Sequence, residues 1–534
     1  MLRFLVMVFH IFLIVTILLP KAPVQAVEMK ASASDEHILR LAVMSDPITL
    51  DPSVAEDTTS VAFIQALFDG LTRIGKDGKA HESMAEKIEV SDDLVTYTFH
   101  LRNAKWSNGD PVTAHDFEYA WKQVIDPENA ASYAYQMFPI KNAEKAQWGE
   151  ASLNEVGVKA LNDKTLQVTL EHPTPYFLEL TSFYSYYPVN KKLANSNPNW
   201  AQNVNTHVGN GPFKLTMWER GDRIKLIKND NYWDKNSVRL DGIDFSIIRD
   251  GDQEFSKFLK GELDWAGSPL GNIPANAVPK LIEHRLLYVK PIAGVYWYKF
   301  NTEQPPFQNA KIRKAFAYAL DRQTLFENVS MYHIAALGVV PPSMKVKEMH
   351  YLKDNDVETA KKLLAEGMME MGIKSLPHIT LSINSGEGHE VIAREVLRQW
   401  KESLGVDVKL EVKEWQVHLE DMHDGNYQLG RMGWLADFND PINFLELFKY
   451  KDGGTNDTRW ENSKYIELLN QSSMEKDPIK REKIMEQAEQ ILMDEMPVMP
   501  IYYYINSWVK REYVQDVVID GLGSVDYKWA SITE

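Results

Sequence analysis

The stretch "VIAREVLRQWKESLGVDVKLEVKEW", residues 391–415, changes its period in mid-course. Its first half repeats apolar residues at the three-and-four spacing of a helix packed on one face, and its second half alternates as a half-buried strand does. A helix handing over to a strand within so few residues marks an α/β unit, in which helices cover a sheet. The same helical period recurs in "NAKIRKAFAYALDRQTLFENV", where Ile312, Ala315, Phe316, Ala319 and Leu320 share a face and Asn309 is placed to cap. It recurs again in "ETAKKLLAEGM" and in "REKIMEQAEQILMDEM", which ends against Pro497. Strand periods appear in "LVTYTFHLR", "TLQVTLE" and "VMPIYYYINSWV", and "HILRLAVMSDPITLDPS" reads as a strand stopped by prolines. No fixed-period repeat occurs, so a solenoid is not expected.

With 534 residues and 61.3 kDa the chain is long for one hydrophobic core, and two lobes or more are expected. Its 44% hydrophobic and 25% charged residues are those of a folded protein rather than a disordered one. A net charge of -17 would repel nucleic acid phosphates, which leaves neutral solutes and basic partners. Residues 1–26, "MLRFLVMVFHIFLIVTILLPKAPVQA", have the basic start, apolar run and small-x-small end of a secretory signal peptide cleaved after Ala26. The apolar run is shorter than the roughly 20 residues a spanning helix needs. The chain has no cysteine, which excludes thiol catalysis, CxxC metal sites and a lipid-anchoring cysteine.

Several motifs fall short of chemistry. "GLTRIGKD", Gly70 to Asp77, has Asp77 where a phosphate loop needs a hydroxyl, and reads as a turn between strands. In "HLEDMHDG" the histidines His418 and His423 stand five apart, off the i, i+4 spacing of a shared helix face, and a solvated surface is expected rather than a metal site. No GxSxG elbow or HExxH motif occurs, so no cofactor, metal or enzyme activity is expected. The clusters "FYSYY", "VYWYKF" and "IYYYINSW" suit recognition surfaces, although core packing is the expected use of most of their rings.

"GRMGWLADFNDP", residues 430–441, is harder to place. Tyr427 to Asp437 reads as extended chain, so Arg431 and Asp437 would face the same side about 20 Å apart, too far to pair directly. They could hold the two ends of something else.

Four long stretches give that something a candidate. "AEKIEVSDDLVTYTFHLRNAKWSNGDPVTAHDFEYAWKQVIDP", "GNGPFKLTMWERGDRIKLIKNDNYWD", "PPFQNAKIRKAFAYALDR" and "GWLADFNDP" resemble, in the expected order, the oligopeptide-binding proteins of ABC peptide importers. The resemblance implies a two-lobed periplasmic-binding-protein-like α/β fold of the large three-domain type. Domain I would comprise 27–68, 193–293 and 506–534, domain II 69–192 and domain III 294–505. It also implies a monomer outside the cytoplasm that encloses a peptide and delivers it to a membrane permease. Asp437 would take the peptide's α-ammonium. Arg431, with His389 in "NSGEGHEVIA", would take its carboxylate. Gly433 and Leu435 match the strand that bonds the ligand backbone, Glu56, Asp57 and Thr58 the facing segment, and Trp415, Trp434, Tyr504 and Tyr133 its ring positions. Where some relatives place a lysine for shorter peptides, the sequence has Ser330. Capture of a cello-oligosaccharide or a metal complex on the same fold is the alternative, and a secreted hydrolase a more distant one.

Overall fold

The helix and strand of the opening stretch form as their periods require. In the computed structural model, which describes residues 37–129, 131–329, 332–345, 349, 351–386, 388–453 and 455–533, the helix spans His389–Leu404 and the strand Val408–Lys413. Ile392, Ala393, Val396 and Trp400 are its buried face. Gly405 ends it at φ 70°, a left-handed conformation that glycine adopts without strain. The strand lies parallel to Ile379–Asn384, so the three elements make one crossover unit. The expected signal segment, residues 1–26, and Ser330 lie outside the described residues.

Three main sheets organise the chain. One four-stranded sheet runs Ile38–Val43, Gly242–Ile247, Arg223–Lys228, Phe213–Glu219 in space, and a second, antiparallel, runs Ala85–Val90, Thr96–Leu101, Thr165–Thr169, Val158–Asn162. Burial alternates along Thr96–Leu101 and Thr165–Thr169, as the sequence period predicts. The third sheet is seven-stranded and is built from β1 (Trp265–Gly267), β2 (Tyr288–Phe300), β3 (Ile334–Ala335), β4 (Ile379–Asn384), β5 (Val408–Lys413), β6 (Leu429–Leu435) and β7 (Val498–Lys510). Its spatial order is β1-β7-β2-β6-β4-β5, with β3 beside β7. The helices that matter below are α1 (Thr58–Leu67), α2 (Ala310–Tyr318), α3 (His389–Leu404) and α4 (Trp415–Asp424).

The buried apolar residues fall into two clusters. One gathers Leu39 to Trp265 with Trp508 to Ala530, and the other gathers Ala293 to Tyr503. The 13-residue strands β2 and β7 pass from one cluster to the other side by side. Their pairing is interrupted at that passage, between Pro291↔Ile505 and Val295↔Tyr503. A buried network ties the hairpin strand Thr72–Ile74 to the segments that follow Lys228 and to Val525–Asp526. Asp69 accepts from Arg73, from the Ser83 hydroxyl at 2.6 Å and from Tyr232 and Trp233 at 2.9 Å, while Arg73 also forks onto Asp526 at 2.7 and 2.8 Å.

Local signals translate directly. Asn309 caps α2, its Oδ1 accepting from the Lys311 and Ile312 amides at 2.9 and 3.3 Å. Replacing it with alanine strands those amides and is expected to lower stability by about 1 kcal/mol, read as a shifted denaturant midpoint at unchanged slope. "GLTRIGKD" supplies the strand Thr72–Ile74 and the start of the turn that pairs it with Ala80–Glu82. Two readings are corrected. Extended pairing covers Leu429–Leu435 rather than Tyr427–Asp437, so Asp437 lies two residues beyond the strand. And "HLEDMHDG" is not a solvated surface throughout, because His418 is fully buried on α4 and His423 bonds Asp457 at 2.8 Å.

Candidate functional site

β6 is the centre of the site because one of its edges is open. It pairs antiparallel with β2 along its whole length, but with β4 only at Leu381↔Leu429 and Ser382↔Gly430. Among the described residues no strand continues on that edge beyond Gly430. The direction of its backbone groups follows from two bonds. The Ala436 amide donates to Ala293 on the β2 side at 2.8 Å, and the Arg431 carbonyl accepts from His418 Nε2 on the other side at 2.8 Å. Successive residues of a strand point their amides and carbonyls to opposite edges, so Gly433 and Leu435 present theirs to the open edge. The glycines in this stretch make room. A Cβ on Gly430 would lie 2.0 Å from Met422 Sδ, and one on Gly433 would lie 3.0 Å from Tyr504 Oη.

At one end of this edge stands a buried cation. Arg431 is 7% exposed, donates from Nη1 to Asn384 Oδ1 at 3.1 Å, and lies 4.7 Å from the Tyr296 ring centroid. Its Nε is buried without a hydrogen-bond acceptor, and among the described residues no carboxylate lies within ion-pair distance of it. His389, at the start of α3, packs against the same Tyr296 at 5.5 Å between ring centroids. Tyr502 stacks on Tyr296 at 4.7 Å and meets Tyr504 at 5.4 Å. Burial, and then the charge of Arg431, push the His389 imidazole down to about 4, which leaves it neutral near pH 7. Trp415, 44% exposed, opens α4 nearby, 6.3 Å from the His418 ring.

At the other end stands a carboxylate. Asp437 is half-buried, and its Oδ1 accepts from Tyr135 Oη at 2.8 Å. Gln136 holds its carbonyl at 3.0 Å. Asn443 Oδ1 accepts both the Asp437 amide at 3.3 Å and Trp434 Nε1 at 2.8 Å, which turns the chain out of the strand. Burial raises the Asp437 carboxyl above its ordinary range, partly offset by the hydrogen bonds of Tyr135 and Asn443. No cation among the described residues pairs with it. Asp437 and Leu435 line a cavity of about 240 Å³ together with Glu56, Thr58 and Tyr133. Asp57 does not join them. Its Oδ1 is committed to capping α1, accepting from the Ser60 amide at 2.9 Å.

His418 is the residue that sequence spacing missed. A carbonyl only accepts, so His418 Nε2 donates to Arg431, and the neutral ring's Nδ1 is left to accept from the Ser382 hydroxyl at 3.1 Å. Its place three residues after Trp415 on one helix was the available signal. Tyr135, Gln136 and Asn443 were also missed, because each reaches Asp437 only through the fold.

Residues 79–456 match the family described as "Bacterial extracellular solute-binding proteins, family 5 Middle". Over 510 residues the chain is 51% identical to the "Oligopeptide-binding protein OppA" of Bacillus subtilis (strain 168), with 94% of each chain covered. Among solved structures, the unliganded open form of the periplasmic murein tripeptide binding protein MppA superposes with a TM-score of 0.86 at 29% identity, covering 93% of this chain and 98% of that one. Listeria monocytogenes OppA bound to peptide is also 29% identical, covering 94% of this chain and all of that one, but superposes at 0.66. The chain belongs to the bacterial extracellular solute-binding proteins of family 5.

Proposed function

We propose that the chain captures short oligopeptides outside the cytoplasm, as a monomer, and delivers them to the permease of an ABC importer. The observation that carries this reading is the open edge of β6, with a buried guanidinium without a carboxylate partner at Arg431, where the edge begins, and a carboxylate without a cation partner at Asp437, two residues past the strand. Backbone bonds to Gly433 and Leu435 are indifferent to side chains, whereas the two charges require a free amine and a free carboxylate. The ligand is then a zwitterion in extended form. Its amine at Asp437 and its carboxylate at Arg431 make it run antiparallel to β6. His389, Trp415, Trp434, Tyr504 and Tyr133 are assigned to the walls, and Glu56, Asp57 and Thr58 to the facing segment. The kinship with OppA and with a peptide-bound OppA structure supports this reading.

Native mass spectrometry of protein purified without denaturation tests it. Co-purified masses of three to five amino-acid residues are expected, and masses of oligosaccharides or metal complexes would overturn it.

We assign three domains, 27–68 with 193–293 and 506–534, 69–192, and 294–505; the two hydrophobic clusters support a division into two lobes, the first two domains sharing one and the third forming the other. In that arrangement the interrupted pairing near residues 291–295 and 503–505 is the hinge. Peptide is expected to shrink the radius of gyration in small-angle scattering. An unchanged radius with binding verified by calorimetry would show that the lobes do not close.

A further inference from the structure

We infer that His418 is a positioning residue for the carboxylate end of the ligand: it takes the place of the departing strand β4 at the Arg431 carbonyl, and so fixes where the guanidinium stands. This rests on the reading that Arg431 takes the ligand's carboxylate.

The need for such a residue follows from the register. β4 stays with β5 as far as Asn384↔Lys413 but leaves β6 after Ser382↔Gly430. Arg431 is the next residue of β6, and it turns its carbonyl to the edge that β4 has left. Arg431 is itself buried, and a buried carbonyl without a donor is costly. His418 reaches in from α4 and supplies the donor, with Nε2 2.8 Å from that oxygen. Its other nitrogen, Nδ1, accepts from the Ser382 hydroxyl at 3.1 Å, and Ser382 is the last residue of β4 still paired with β6. The strand that departs therefore holds the ring that replaces it.

The same strand holds the other end of Arg431. Residues two apart on a strand share a face, so Asn384 stands on the face of Ser382, and its Oδ1 accepts from Arg431 Nη1 at 3.1 Å. Arg431 is thus held twice from β4, at its main chain through His418 and at its guanidinium through Asn384. An arginine side chain is rich in rotamers, so its tip stays in one place for an arriving carboxylate only if its root is fixed too.

His418 must be neutral for this, because only a neutral ring donates from Nε2 while Nδ1 accepts. Burial first, and then the charges of Arg431 and Lys413, lowers its pKa against the opposing pull of the Arg431 carbonyl and Asp421.

Calorimetry on the full chain with tetra-alanine, its C-terminal amide and its N-acetyl form tests the inference. The affinity ratio of free acid to amide reports the carboxylate end, and that of free amine to acetyl form reports the Asp437 end. His418→Phe, which keeps a ring but has no donor, is expected to lower the first ratio about tenfold and to leave the second within about twofold. His418→Gln, whose amide reaches for the same carbonyl, is expected to bring the first ratio back to within about threefold of wild type. Should His418→Phe not fold, Ser382→Ala, which removes the partner of Nδ1, takes its place and is expected to lower the first ratio at least threefold. A first ratio unchanged in the variant that folds would overturn the inference. An equal fall of both ratios, the mark of a general loss of structure, would overturn it as well, and so would a loss that His418→Gln does not repair. A wild type that binds acid and amide alike would instead remove the carboxylate reading of Arg431, and this inference with it.

Discussion

Asp437→Asn is expected to weaken the binding of free-amine peptides by roughly 2–5 kcal/mol, a loss of about thirtyfold to several thousandfold, because it strands the ligand's buried ammonium without a counter-charge. The substitution keeps the shape and the hydrogen bond from Tyr135, so the loss measures charge rather than packing. N-acetylated peptides should bind the wild type about as weakly as free peptides bind the variant, and the variant should not discriminate between them. Wild-type protein that binds both forms equally in calorimetry would refute the assignment.

The same carboxylate gives the interaction a pH dependence. In the empty protein its pKa is raised by burial, and a bound ammonium lowers it. Affinity is therefore complete above the raised pKa of the empty site and falls as pH drops through it, since protonation must then be reversed on binding. Asp437→Asn removes that acidic limb. A wild-type affinity that stays level from neutral pH down to pH 4 would contradict the raised pKa.

How much of this was legible in the sequence depends on how local each determinant is. The cap at Asn309 and the handover from helix α3 to strand β5 rest on neighbours within a few turns, and the local pattern alone found them. The end of β6 was misread because it depends on Asn443, which takes the Asp437 amide six residues away and bends a chain whose own residues look extended. His418 was set aside by metal-ligand spacing, the wrong question for a ring whose partner is a backbone carbonyl 13 residues on. Tyr135 is 302 residues from Asp437, and no sequence period could join them. The open edge itself is visible only in register. It exists because β4 leaves β6 after Gly430, which makes the flanking charges at Arg431 and Asp437 a matched pair of ends rather than a failed ion pair.

The cation end sets length. Arg431→Ala is expected to cost tetrapeptides roughly 2–5 kcal/mol, because their carboxylate would be left buried and uncompensated. His389 is neutral near pH 7, its pKa held to about 4, so it offers a hydrogen bond but no charge to replace the guanidinium. Nor can the ligand extend its ladder past this point, for His418 already occupies the Arg431 carbonyl. The usable carbonyls on the edge are those of Gly433 and Leu435. A ligand strand opposite the extended residues 431–435 advances about 3.4 Å per residue, and with Asp437 two residues beyond the strand and a few ångströms at each end for side chain or water the edge holds about four residues. Tetrapeptides and pentapeptides are therefore expected to bind better than tripeptides, and pentapeptides, whose carboxylate passes beyond Arg431, to lose less on Arg431→Ala. C-terminal amidation supplies the control: an amidated tetrapeptide binds the wild type weakly and should lose little more in the variant. If the substitution weakens the amide as much as the free acid, Arg431 acts by holding the strand in place. A tripeptide or dipeptide optimum on the wild type would put the carboxylate site elsewhere in the cleft.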